Sequence, residues 1–158
     1  MKKILIILVL IFVFTFCKRD NTQLYNQACD FEDNQEFDKA IELLSKALEI
    51  NPKDIECYNN RAWDYYELGQ FENAFNDFKE ILRIDSLNTA AIYGIGYLKF
   101  EQSKYEETLE LFNRIIEIKG GPVFLEITDN EFTGQRILEA NMEQVFYYKN
   151  LAEENLKK

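Results

Sequence analysis

The chain has no histidine, which removes the imidazole that Ser-His-Asp and Cys-His nucleophilic centres depend on. Glycine and proline are scarce, at 6 and 2 residues. An all-β chain needs many tight turns built from those residues, so the shortage favours helices. Cysteine is sparse too. Cys29 and Cys57 stand 28 residues apart, and the third, Cys17, follows an N-terminal apolar run. None of these spacings is that of a zinc site, and no metal or other cofactor is expected. Cys29 and Cys57 read as two separate buried thiols. Positive charge is also short, with 18 Lys+Arg against 28 Asp+Glu and a net charge of −10. Such a surface repels phosphate backbones, so nucleic acid is not an expected partner. Gly120-Gly121 is too short for a phosphate loop. The carboxylates Glu42, Asp77, Glu106 and Glu107 read as parts of solvated helix faces. Neither catalysis nor a small-molecule substrate is expected.

What the chain does have is aromatic mass: 13 Phe, 9 Tyr and 1 Trp in 158 residues, enough for a real core in one domain. It also has a segregated N-terminus. Met1-Lys2-Lys3 precedes an apolar run from Ile4 to Phe16, interrupted only by Thr15. A basic start and an apolar stretch of about 13 residues make the layout of a secretory signal over residues 1–16. As a helix the run extends about 20 Å, short of the roughly 30 Å hydrocarbon core. Val13-Phe14-Thr15-Phe16-Cys17 resembles a bacterial lipoprotein signal, with Phe16 where that pattern usually has Gly, Ala or Ser. The resemblance implies a lipid on Cys17, a tether over 17–21 and a membrane-anchored, exported domain facing the periplasm or held in the outer membrane. An uncleaved anchor is the alternative.

From residue 21 onward the sequence repeats itself every 34 residues. Phe37, Phe71 and Tyr105 fall in register, as do Ala40, Ala74 and Thr108, and Leu44, Phe78 and Phe112. Three copies span about 21–54, 55–88 and 89–120. A period in this range marks stacked supersecondary units, none of which can bury its apolar face alone. Each copy reads as two helices: 22–34 and 37–50, then 55–68 and 71–84, then one from the Asn88 cap to Phe100 or Glu101 and one over 105–118. Asp54 and Asn88 are expected N-caps, and Asn51-Pro52 closes the first unit because proline bars a helical conformation just before it.

The copies resemble the tetratricopeptide repeat family, whose pattern runs W-x2-L-G-x2-Y, then A-x3-F, then P. Here the corresponding residues are Leu24-Gln27-Ala28-Phe31, Tyr58-Arg61-Ala62-Tyr65 and Ile92-Ile95-Gly96-Lys99, followed by Ala40-Leu44, Ala74-Phe78 and Thr108-Phe112. The resemblance covers roughly 100 residues and implies an all-α fold: a right-handed superhelix of three tetratricopeptide-like helical hairpins plus a C-terminal capping helix. Past Gly120-Gly121-Pro122 the period breaks. Residues 121–143 read as an insertion, with a short apolar piece Val123 to Ile127 and a capping box at Thr128 to Glu131, and 144–158 as the capping helix. Leu138, Met142, Val145, Ala152 and Leu156 line one side of this segment.

The resemblance also implies a concave groove, lined by the first helix of each unit, that holds a protein or peptide segment. The stripe not used by the repeat pattern is Asn59, Trp63 and Tyr66 in the second copy. It becomes Tyr93, Tyr97 and Phe100 in the third, and Tyr25, Cys29 and Glu32 in the first, with Glu67 and Glu101 beside it. Large amphipathic aromatics supply binding anchors. The competing expectation is that the chain's own C-terminal helix fills this face, leaving a structural spacer or oligomer subunit. Grooves that grip a terminal carboxylate use Lys, Arg and Asn here. Only Asn59 and Asn60 echo that set, so apolar or basic segments fit better.

Overall fold

The computed structural model describes residues 21–119 and 142–158. Among them are seven helices: α1 (Asn21–Asp33), α2 (Phe37–Ile50), α3 (Ile55–Glu67), α4 (Phe71–Ile84), α5 (Thr89–Glu101), α6 (Tyr105–Ile118) and α7 (Met142–Leu156). The first helix of every hairpin has 13 residues and the second has 14. The period therefore holds at the level of individual helix ends. Cys17 with its expected lipid, the expected signal, and the readings over 121–141 lie outside the described residues. Asn21, expected in the tether, is instead the first residue of α1, where its amide donates to Asp54 at 2.6 Å.

The turns repeat as closely as the helices. Gln35, Gly69 and Ser103 all adopt positive φ, at 59, 71 and 59°. The backbone amides of the next residues, Glu36, Gln70 and Lys104, donate to Phe31, Tyr65 and Lys99 at 2.9, 2.7 and 2.9 Å. This is the left-handed closure that satisfies a helix's last carbonyls and reverses the chain. Glycine fills it only once; the other two positions accept the strain of a side chain there. Phe37, Phe71 and Tyr105 each begin the returning helix. Phe71 lies 5.6 Å from Tyr66 and Tyr105 lies 5.6 Å from Phe100, which is the same contact one period on. Asp54 and Asn88 cap α3 and α5 as expected, accepting from Cys57 and Ala91 at 3.1 and 3.0 Å.

Hairpins pack through small residues facing large ones. Ala28 and Ala40 are fully buried in one cluster with Leu44, and Ala62 and Ala74 in another with Phe78. At Gly96, the third copy's counterpart of Ala62, a Cβ would meet the Phe112 ring at 2.5 Å. Gly94 is held to the same limit by Phe78, at 2.4 Å. Helix approach this close leaves no room for a methyl group. α7 then covers α6, burying Val145 against Ile92, Tyr93, Phe112 and Ile115. The expected all-α stack of three hairpins and a terminal helix is what forms.

Two expectations about polar residues are corrected. Asp77 is not on a solvated face. It is buried and takes a bidentate pair from Arg61, at 2.7 and 2.8 Å, while the same guanidinium donates to Ser45 at 2.9 Å. Burial pushes the Asp77 carboxyl up and the Arg61 charge opposes that push. The Tyr58 and Tyr65 rings lie 5.5 and 5.8 Å from Arg61. One arginine thus joins α2, α3 and α4. Of the two thiols expected to be buried, Cys57 is and Cys29 is only half-buried. Burial raises the Cys57 thiol well above its ordinary value, so it stays protonated and inert.

Candidate functional site

The side-by-side placement of α1, α3 and α5 brings the expected stripe together as three equivalent rows: Tyr25, Asn59 and Tyr93; Cys29, Trp63 and Tyr97; Glu32, Tyr66 and Phe100. The chemistry changes along the stack. From the second hairpin to the third it is continuous aromatic surface. Trp63 lies 5.8 Å from Tyr66, 6.4 Å from Tyr93 and 6.1 Å from Tyr97, and meets Phe78 beneath it at 5.4 Å. The Tyr66 hydroxyl donates to that of Tyr97 at 3.2 Å. Burial raises the Tyr93 and Tyr97 phenols, and hydroxyl contacts with Tyr66 and Tyr148 add to the rise at Tyr97. Both phenols stay neutral, and Tyr97 is hydrogen-bonded.

The terminal helix occupies part of this surface. Tyr148 of α7 sets its ring edge-on to both Tyr97 and Phe100 at 5.1 Å. Tyr148 is not among the residues expected on this face, because nothing local in the sequence says how far α7 reaches across α5.

Two of the expected groove residues are not at the surface. Tyr93 is 7 % exposed, stacked between Tyr97 and Phe112. Asn59 is 1 % exposed, and neither of its amide atoms has a hydrogen-bond partner among the described residues. Both are covered by neighbouring packing and line the core rather than a groove. Tyr25, Trp63, Tyr66, Tyr97 and Phe100 are half-buried.

From the first hairpin to the second the same rows are polar. Asn60 donates to Glu32 at 3.2 Å and to the Cys29 sulfur at 3.8 Å. The Tyr25 phenol is raised, by burial first and then by Cys29, Glu56 and Glu32 around it. No Lys or Arg stands in any of the three rows. Among the described residues no group of three His, Cys, Asp or Glu is placed to hold a metal ion. No described helix is long and apolar enough to cross a membrane.

Comparison with known proteins agrees with the geometry. The tetratricopeptide repeat model matches residues 22–54 and 55–88. The small glutamine-rich tetratricopeptide repeat-containing protein 2 of Mycosarcoma maydis is 30% identical over 84 residues, 53% of this chain and 24% of that protein. Heat shock protein STI1 of Saccharomyces cerevisiae is 36% identical over 86 residues, 49% of this chain and 14% of that one. The chain therefore spans a quarter or less of either relative. Among solved structures, the first TPR of Spaghetti (RPAP3), bound to the HSP90 peptide SRMEEVD, superposes with a TM-score of 0.68 at 18% identity, covering 89% of this chain and 96% of that one. The Sgt2 TPR domain from Aspergillus fumigatus gives 0.67 at 20%, covering 88% and 80%. At these identities the likeness speaks to the fold alone. The third hairpin lies outside the matched residues, yet its helices have the same lengths and turns. Residues 22–88 are two tetratricopeptide repeats, and the described residues as a whole take the tetratricopeptide superhelical fold.

Proposed function

We propose that this chain is a non-catalytic protein-interaction module that holds an extended protein segment on the α1–α3 side of its inner face. The supporting observation is the division just described: Tyr148 covers Tyr97 and Phe100, while half-buried Tyr25, Cys29 and Glu32 offer a ring, a thiol and a carboxylate at the other end, with the buried Asn60 amide donating to Glu32. Trp63 and Tyr66 sit at the junction and supply the apolar anchor. The Spaghetti domain takes a peptide with three acidic residues, SRMEEVD. Here Glu32 and Glu56 lie beside Tyr25, and an acidic segment would meet like charge. A neutral or basic segment suits this face.

Placing a photo-crosslinking side chain at Tyr25 (Tyr25→p-benzoylphenylalanine) tests the assignment in the full chain. Discrete adducts are expected there and not from the same group at Glu110, an exposed outer position on α6. Equal labelling at both positions would remove the groove. A second reading is favoured by the Tyr148 contacts, namely a self-capped spacer within a larger complex. It expects no adduct at Tyr25. We further propose that the module is held at a bacterial membrane through a lipid on Cys17, on the strength of the signal-like residues 1–17. Labelling with a fatty-acid probe should be lost in Cys17→Ser; label that persists would exclude this attachment.

A further inference from the structure

The edge of the stack formed by the hairpin turns carries a pattern that the inner face does not use. The last residue of each first helix is acidic, at Asp33, Glu67 and Glu101. In the first turn of each second helix stands another acid, at Asp38, Glu72 and Glu106. Both series are spaced at the repeat period, and all six side chains are exposed. None takes part in an ion pair among the described residues, whereas Glu42, Glu80, Glu107 and Glu153 all do.

The first series is also misplaced on local grounds. A carboxylate at a helix C-terminus faces the negative end of the helix dipole, where a cation is favoured instead. α1 and α3 have no basic residue in their last turn. Helix stability alone selects against this arrangement, and it occurs three times.

The same edge has an apolar opening. Phe71 is 44 % exposed. It lines, with Glu72, Phe75, Leu98, Lys99 and Gln102, a cleft of about 250 Å³ between α4 and α5. That is below the size of a pocket for a whole small molecule and suits one large apolar side chain. Lys99 is engaged there, paired with Glu107 at 2.6 Å and 5.7 Å from the Phe75 ring. The carboxylates are strung along the edge instead of converging on one point, so a single metal ion is a poor match for them.

We propose that this edge is a second docking surface, separate from the inner face, for a basic amphipathic peptide segment. One apolar side chain of the segment fills the cleft at Phe71, and its Lys or Arg residues pair with the two acidic rows. Charge complementarity selects this occupant: Glu72 lines the opening, five more carboxylates with no ion pair among the described residues run along the same edge, and the binding partner supplies the cations that the ends of α1 and α3 lack.

The test uses the full chain in detergent and two fluorescent peptides, one alternating Lys/Arg with Leu/Phe and one with the cations replaced by Glu. Anisotropy is read at low and at physiological salt. The basic peptide is expected to bind at least tenfold more tightly than the acidic one, and to weaken as salt rises. The quadruple change Glu67→Gln, Glu72→Gln, Glu101→Gln and Glu106→Gln, checked for folding by circular dichroism, should reduce binding at least tenfold. Glu110→Gln, at an exposed outer position on α6, should leave it unchanged. Equal binding of both peptides overturns the proposal, as does full binding by the quadruple variant. If Tyr25→Ala abolishes binding and the quadruple change does not, the inner face is the basic-segment site and the edge is not.

Discussion

The two ends of the inner face are built on one backbone plan and differ in almost every side chain. Between the second and third hairpins, Trp63, Tyr93, Tyr97 and Phe100 pack ring on ring, and α7 closes over them with Tyr148. Between the first and second, Asn60, Glu32 and Cys29 meet through hydrogen bonds. The comparison teaches that a repeat can hold its geometry while its surface is reassigned, because geometry depends on a different set of positions. Those positions are the small residues and their large partners, such as Ala62 beside Phe78, and the positive-φ turns. The rows that face inward carry no such duty, so one end is free to become core and the other to stay polar.

The sharpest way to break the comparison is to cut the core under each end. Phe78 is fully buried, presses on Gly94 and lies under Trp63. Phe78→Ala should cost about 3–5 kcal/mol and redden the emission of Trp63, the chain's one tryptophan. Leu44 is its counterpart in the first hairpin and is equally buried. Leu44→Ala should cost about 2–5 kcal/mol with Trp63 emission unmoved. Urea denaturation followed by fluorescence and by circular dichroism separates the two. A shared emission shift would mean that the ends are one cooperative unit.

Next in size is the seam between them. Asp77→Asn leaves the Arg61 guanidinium, 17 % exposed, without its carboxylate, and breaking such a pair should cost about 3 kcal/mol. Joint replacement by Arg61→Met and Asp77→Leu should recover most of that loss in the same denaturation series, since an ion pair taken out of water gains little over apolar packing.

How much of this was legible beforehand follows from what a period can and cannot encode. Helix ends, turns and the packing of a small residue against a large one recur three times, so coincidence is averaged away, and the fold was readable. Asp77 occurs once. Its partner Arg61 is 16 residues back on another helix, and an acid between Asn76 and Phe78 looks like any solvated carboxylate. Asn59 and Tyr93 were placed on the right stripe, but stripe position does not report depth. That depends on how far neighbouring rings and α7 reach over them. The glycine at 94 gave no signal of its own, because the Phe78 ring that demands it belongs to the preceding repeat.

Smaller is the effect of lifting the cover. Tyr148→Ala removes the two edge-on ring contacts that reach α5, at about 0.5–1.5 kcal/mol each, beside a third with the exposed Tyr147, and exposes Tyr97 and Phe100. If the two ends differ only by that cover, the variant should lose about 1–3 kcal/mol and gain crosslinking from a probe at Tyr97. Lost stability without new labelling would assign Tyr148 to packing alone.

The smallest difference lies in the acid limb of the stability curve. Lys99 on α5 holds the Glu107 carboxyl on α6 below its ordinary value of 4.5, chiefly by hydrogen bonding. A carboxylate whose folded value is lowered binds fewer protons folded than unfolded, so its stabilisation is present above 4.5 and fades as the pH falls through the lowered value. Glu42 is lowered in the same way by Lys46, but within α2 alone. Both carboxylates are solvent-exposed, so the contributions are slight and shrink with salt. Glu107→Gln should lower the melting temperature a little at neutral pH and low salt, and the difference from the unchanged chain should vanish in acid. Glu42→Gln should do the same, but only Glu107→Gln loosens one helix from another, so only it should also speed amide exchange at the α5–α6 turn. If both variants leave that turn's exchange alone, the pair at the third hairpin is no more structural than its counterpart in the first.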